Sequence, residues 1–282
     1  MNTIVKKFLI ITSVGSLVMI FSSLSYYQYY LSQISRTYLT RLTSSSNDLR
    51  KSFNTLANTT NDQAFSDPPT PDAATINLQK INNQITQTNQ AVADFQEVAS
   101  SLPTYKMANI FGIYKKAIVK QKLAKNIVLQ SKDTLDTYSL TVNYLLALNT
   151  TQSFLENENL AISRINILTN LNPNHLSSDA KSLQQMAQQL SQVASPARLK
   201  SSQENMVNLL NQLADSYTTM STALLSNSDS RIDTAAKLIE QQTGLYDGGV
   251  KYQALDALKN SLIMDDIYNL PTKADILASN TH

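Results

Sequence analysis

Apolar positions recur at helical spacing along almost the whole of this chain. The densest run is Phe8–Leu24 (FLIITSVGSLVMIFSSL), which carries no charge. Beyond Tyr30, Leu42, Leu49 and Leu56 repeat every seven residues with Leu39 and Phe53 beside them. This predicts a helical stalk to about Asn61. Asp67-Pro68-Pro69-Thr70-Pro71-Asp72 then turns the chain. Leu78, Ile81, Ile85, Val92, Phe95, Ala99 and Leu102 hold the spacing of a coiled-coil seam on which only Thr88 is polar. Leu102-Pro103-Thr104 ends that helix.

A third stripe, marked by Ile110, Tyr114, Ala117, Ala124, Val128, Leu135, Tyr138, Val142 and Leu145, predicts a helix from about Tyr105 to Leu148. Ser153 and Glu156 have capping-box spacing, which places a break near Asn149–Thr151 and a further helix to Leu171. Asn172-Pro173-Asn174 closes it, with His175 in the same loop. Leu183, Met186, Leu190 and Val193 then form one stripe. Ser195-Pro196 reads as an N-cap followed by a first helical proline. Leu199, Met206, Leu213 and Met220 step by seven beside Leu210, Tyr217 and Leu224. Asn227-Ser228-Asp229 breaks the chain before a short helix to Gly244. Asp247-Gly248-Gly249 makes a turn, and a last helix runs through Leu255, Leu258 and Leu262 to Pro271.

No stretch shows strand alternation bounded by turn residues. The expected fold is all-α: an N-terminal transmembrane helix continuing into an extracytoplasmic antiparallel helical bundle with long coiled-coil-like helices. The expected divisions are a short cytoplasmic tail (1–7), an anchor with a tyrosine belt (8–30), a membrane-proximal long-helix bundle (31–172), a second helical group (173–271) and a flexible tail (272–282). Stalk and second helix are similar in length and joined by a short loop, so they are expected to pack antiparallel. Leu102–Lys106 would then return to the level of Tyr26.

The flanks of Phe8–Leu24 set its expected orientation. Lys6 and Lys7 precede it, and Tyr26, Tyr27, Tyr29 and Tyr30 follow. Lysines favour the cytoplasmic side, while tyrosine rings with polar tips favour the headgroup level. The length is close to the minimum of about 17 residues for a span. The expectation is a single-pass protein of the cell membrane, N-terminus inside and body outside. The alternative is a secreted protein after signal cleavage near Ser23-Leu24-Ser25.

Composition narrows the chemistry. The chain has five Gly, seven Pro and no Cys in 282 residues. Scarce Gly and Pro disfavour turn-rich β architectures. The lack of Cys removes disulfides, thiol catalysis and lipoprotein processing. A net charge of +2 from 23 basic and 21 acidic residues is too balanced to suggest a nucleic-acid partner. No phosphate-binding glycine loop, zinc-protease helix or serine nucleophile elbow occurs.

Carboxylates neighbour each other at Glu156/Glu158, Asp229/Asp233 and Asp265/Asp266. Asp229/Asp233 is accounted for by a helix N-terminus, and Asp265/Asp266 is the weak candidate for a metal or partner. The histidines, His175 and His282, lack a second ligand pattern. Lys115, Lys116, Lys120, Lys122 and Lys125 form the densest charge run, read as a solvated face or as a contact for lipid or anionic polymer. Leu245–Gly249 reads as a helix connection. Asn58-Thr59-Thr60 and Asn149-Thr150-Thr151 match glycosylation triplets.

No enzymatic activity, cofactor or metal is expected. The expected role is that of a structural or protein-interaction module of the cell envelope, with the lipid bilayer, other envelope proteins or further copies of itself as partners. The alternative is a ligand-binding or sensor ectodomain signalling laterally through a membrane partner. Helical ectodomains of chemoreceptors are similar in outline, but they carry a second membrane helix that has no counterpart here.

Overall fold

The computed structural model describes the backbone of residues 3–64, 71–105, 112–157, 172–245, 267, 269–273 and 275–276, and the side chains of these except at 3–11, 63–64, 71–74 and 156–157. Among these every regular element is helical: α1 (Thr3–Ala64), α2 (Pro71–Ser100), α3 (Gly112–Asn157), α4 (Pro173–Gln192), a 3-10 turn (Ala197–Leu199), α5 (Lys200–Leu225) and α6 (Asp229–Leu245). The expected all-α, antiparallel packing is what the chain adopts. The residues group into two compact units. The first comprises Met1–Phe53, Thr88–Lys132 and Asn269–His282, and the second Asn54–Gln87 and Asp133–Tyr268.

In the first unit the pairing of α1 with α2 runs antiparallel. Tyr30 meets Tyr105, the Tyr38 hydroxyl donates to the carbonyl of Ala99 (3.4 Å), and the Ser52 hydroxyl donates to Thr88 Oγ1 (3.1 Å). As residue numbers rise on α1, those of their partners fall. The α2 seam is buried from Ile81 on, with Ile81, Ile85, Thr88, Val92, Phe95, Ala99 and Leu102 in the core, while its first predicted member, Leu78, is half-buried. Thr88 is tolerated there because Ser52 supplies its hydrogen bond.

On α1 the predicted Leu42, Leu49, Phe53 and Leu56 are buried, and the seam departs from the prediction at Leu39. Its buried members are Leu31, Ser35, Tyr38, Leu42, Ser46, Leu49, Phe53, Leu56 and Thr60. Two successive steps of four, Tyr38 to Leu42 to Ser46, interrupt the alternation of three and four and turn the seam locally. Leu39 is therefore half-buried instead of central. Ser35 and Thr60 fit the core by donating to the carbonyls of Leu31 and Leu56.

In the second unit the Thr60 and Tyr138 hydroxyls lie 2.6 Å apart, and Asn149 Nδ2 donates to Thr75 Oγ1 at 2.6 Å. Tyr144, Leu145, Leu148 and Leu155 of α3 join a core with Leu183 and Leu190 of α4, Met206, Leu210, Leu213, Tyr217 and Met220 of α5, and Ala235 and Ile239 of α6. The steps of seven on α5 are thus its buried face.

Four local expectations are corrected. First, α3 does not break at Asn149–Thr151. The hydroxyls of Thr150 and Thr151 donate to the carbonyls of Leu146 and Ala147 within the helix, while Leu148, Thr151 and Leu155 continue the buried stripe. Second, Tyr105 precedes α3 instead of opening it. Third, Asn172 caps α4, accepting from the backbone N–H of Asn174 (3.0 Å) with Pro173 as first helical residue. This places His175 in the first turn of a helix, exposed. Fourth, Ser195 does not cap α5: its hydroxyl donates to Gln203 Oε1 (2.7 Å), and Pro196 precedes a 3-10 turn.

Asn227 closes α5 at φ 50°. The N–H of Ser228 reaches the carbonyl of Ala223 and that of Asn227 reaches Leu224, a Schellman closure with Asn in the left-handed position. Helical backbone also continues past the expected stop at Pro271, over 269–273 and 275–276. There Lys273 Nζ donates to Gln130 Oε1 (3.0 Å) and Asp275 pairs with Arg50, all within the first unit.

Candidate functional site

The candidate features gather in the first unit, beginning with the exposed part of α1. Val14, Leu17, Val18, Met19, Ile20, Phe21 and Leu24 are each more than half exposed. At 100° per residue they point around the full circumference of the helix. Ser16, Ser22 and Ser23 donate their hydroxyls to the carbonyls of Thr12, Val18 and Ile20 at 2.8–2.9 Å. These polar atoms are thus satisfied inside the helix and need no solvent. Among the described residues no helix is long and apolar enough to cross a membrane. The described side chains begin at Thr12, so the Lys6–Lys7 pair and Phe8–Ile11 lie outside them.

Tyrosines follow the apolar stretch. Tyr26, Tyr29 and Tyr30 are exposed, and Tyr27 is half-buried. The antiparallel return of α2 adds a ring that sequence spacing does not mark as part of this group. Tyr105 packs edge-on against Tyr30, with ring centroids 6.2 Å apart, and against Tyr114 at 5.9 Å. The hydroxyl of Tyr114 donates to the carbonyl of Pro103. The Tyr105 phenol is pushed up to about 12, first by its hydrogen bond with Tyr30, then by burial and by the neighbouring phenols Tyr30, Tyr114 and Tyr27. Burial raises Tyr114 as well. Four phenols from three chain segments thus form one neutral aromatic cluster.

The lysine run opens α3. Lys115, Lys116, Lys122 and Lys125 are exposed, but Lys120 is only 6% exposed and lies between Ala117 and Ala124 on the buried side. Its ammonium has no hydrogen-bond partner among the described residues. Burial, and secondarily the charge of Lys116, lower its pKa. The five lysines therefore do not act as one solvated face.

Beside them a groove of about 740 Å³ runs between α1 and α3. Arg36 and Lys116 supply its charge, Thr40, Thr43, Ser44 and Asn47 its polar wall, and Leu39 and Ile113 its apolar lining. The Thr43 hydroxyl donates to the carbonyl of Leu39 (2.9 Å), leaving its lone pairs to accept. Among the described residues no carboxylate lines the groove.

Charge is divided unevenly between the units. The first has fourteen Lys and Arg against four Asp and Glu, a net +10, and the second nine against seventeen, a net −8. The near-neutral total conceals this division.

The remaining candidates stay apart. Asp229 is in the first turn of α6, and Asp233 pairs with Lys237 (2.8 Å) on the exposed face. Asn149 is 8% exposed and helical, unlike a glycosylation acceptor in a surface loop. The side chains of Glu156 and Glu158, Asp265, Asp266, His282 and the turn at 246–249 lie outside the described residues. Among the described residues no group of three His, Cys, Asp or Glu could hold a metal ion. No protein-family model, curated protein or solved structure matches the chain.

Proposed function

We propose that the chain is a single-pass, membrane-anchored helical-bundle protein that works outside the cytoplasm as a structural and interaction module of the cell envelope. The observation that carries this reading is the exposed, apolar circumference of α1 between Val14 and Leu24. Burying such a side chain fully is worth about 1.5–3 kcal/mol, and each of these leaves more than half of its surface in water. Seven of them on every side of one helix call for an apolar surrounding, and one flat partner surface would cover only one side. The preceding lysine pair and the following tyrosine cluster are the flanks that a bilayer selects. With the body outside and Lys6 and Lys7 inside, the first unit keeps twelve Lys and Arg against four Asp and Glu, a net +8 that can hold anionic envelope components.

The test is alkaline carbonate extraction combined with protease added to intact cells. The expected result is a chain that stays in the membrane pellet and whose C-terminal portion is cut without lysis. Release by carbonate, or cutting only after lysis, would overturn the proposal.

A further inference from the structure

We infer that the groove between α1 and α3 binds a linear polyol-phosphate polymer, in which phosphate diesters join hydroxyl-bearing carbons. The envelope location comes from the reading above; the binding chemistry comes from the groove. Arg36 and Lys116 are in no ion pair among the described residues, so both charges are available to phosphates. The side chains of Thr40, Ser44 and Asn47 make no hydrogen bond among the described residues and can meet hydroxyl and phosphate oxygens. Leu39 and Ile113 offer an apolar bed for the carbon chain. Lys120, one turn from Lys116 and buried with no hydrogen-bond partner among the described residues, adds a positive field that water screens poorly. A volume of about 740 Å³ suits several repeat units of such a chain.

Two other polyanions fit less well. Counting along α1 from Leu24 at 1.5 Å per residue, Arg36 stands about 18 Å and Asn47 about 35 Å beyond the apolar run. A headgroup layer adds only about 5–8 Å to the hydrocarbon core, and charge is screened within about 8 Å. The bilayer surface itself therefore does not reach the groove, whereas a polymer can. A single-stranded nucleic acid carries similar phosphates, but among the described residues no aromatic side chain lines the groove to stack its bases.

The experiment is calorimetric titration of poly(glycerol phosphate) into the full chain held in discs of zwitterionic lipid. Expected is salt-sensitive binding that the Arg36→Gln/Lys116→Gln double variant weakens by about tenfold or more. Lys125→Gln, an exposed charge outside the groove, should change it by less than about twofold. Circular dichroism should show both variants equally helical. Absence of binding, equal losses in the two variants, or equal affinity for oligothymidylate each overturn the proposal. Repeating the titration in detergent reads the groove even for a chain that fails to enter discs, and such a failure would count against the anchor alone.

Discussion

The Tyr30 and Tyr105 hydroxyls lie 3.4 Å apart although the residues are 75 positions apart in the chain. That pair ties the segment just after α2 to the middle of α1 in the first unit. Cysteines introduced at Gln28 and Ser101 would be the only ones in a chain that has none. Spin labels on them should lie within about 20–25 Å, two helix diameters. A pulsed electron-resonance distance beyond 40 Å would reject the antiparallel return.

Gln203 holds the end of α4 from the following helix. Its Nε2 donates to the carbonyls of Leu190 (2.6 Å) and Val193 (2.7 Å), and its Oε1 accepts from Ser195. Gln203→Leu would take this donor from the Val193 carbonyl and leave the Leu190 carbonyl with only the Val193 N–H, and should cost about 1–3 kcal/mol in urea unfolding. A loss below about 0.5 kcal/mol would show that these carbonyls find other partners.

At Asn227 the backbone is left-handed, φ 50°. Gly should be neutral to slightly stabilising there, while Asn227→Val should cost about 1–2 kcal/mol because its branched Cβ clashes in that conformation. Melting curves of the two variants check the order, and equal stability would contradict the closure.

The buried Lys120 ammonium opposes folding, because the folded state holds its proton less tightly than the unfolded chain does. Lys120→Met should therefore stabilise by about 1 kcal/mol or more near neutral pH. Stability of the unsubstituted chain rises as pH climbs through the lowered pKa towards 10.5, so the advantage of Met should shrink over that range. Denaturant midpoints of both chains, measured across alkaline pH, test the sign.

Tyr38 and Tyr217 behave in the opposite sense. Burial raises both phenols, with the charge of Asp179 adding to the effect at Tyr217. The folded chain keeps these protons while the unfolded chain loses them, so the associated stability is complete below pH 10.0 and is lost above it. The Tyr38→Phe/Tyr217→Phe variant should show a shallower fall in melting temperature above that pH. An unchanged slope would mean that other groups govern alkaline unfolding.

What could be read from sequence was local and periodic. The α2 seam from Ile81 to Leu102, the steps of seven on α5, and the apolar run after Lys7 depend on side-chain spacing along one helix. Spacing alone places residues on a face. The misread break at Asn149–Thr151 shows where local reading stops. Asn and Thr have only slightly unfavourable helix propensity, and the buried stripe through Leu148 and Leu155 outweighed it. Ser195 likewise looked like a cap until Gln203 reached it from the next helix.

The linear chain by itself determined an all-helical protein with a lysine-led apolar segment, because hydrophobic period and the scarcity of Gly, Pro and Cys leave little else open. Tertiary structure alone decided that Tyr105 joins Tyr30, that Lys120 is buried, that residues 36–47 and 113–116 share a groove, and that charge separates into a +10 and a −8 unit. Each of these depends on segments distant in sequence coming together, and the periodicity of one helix carries no information about which face of another it will meet.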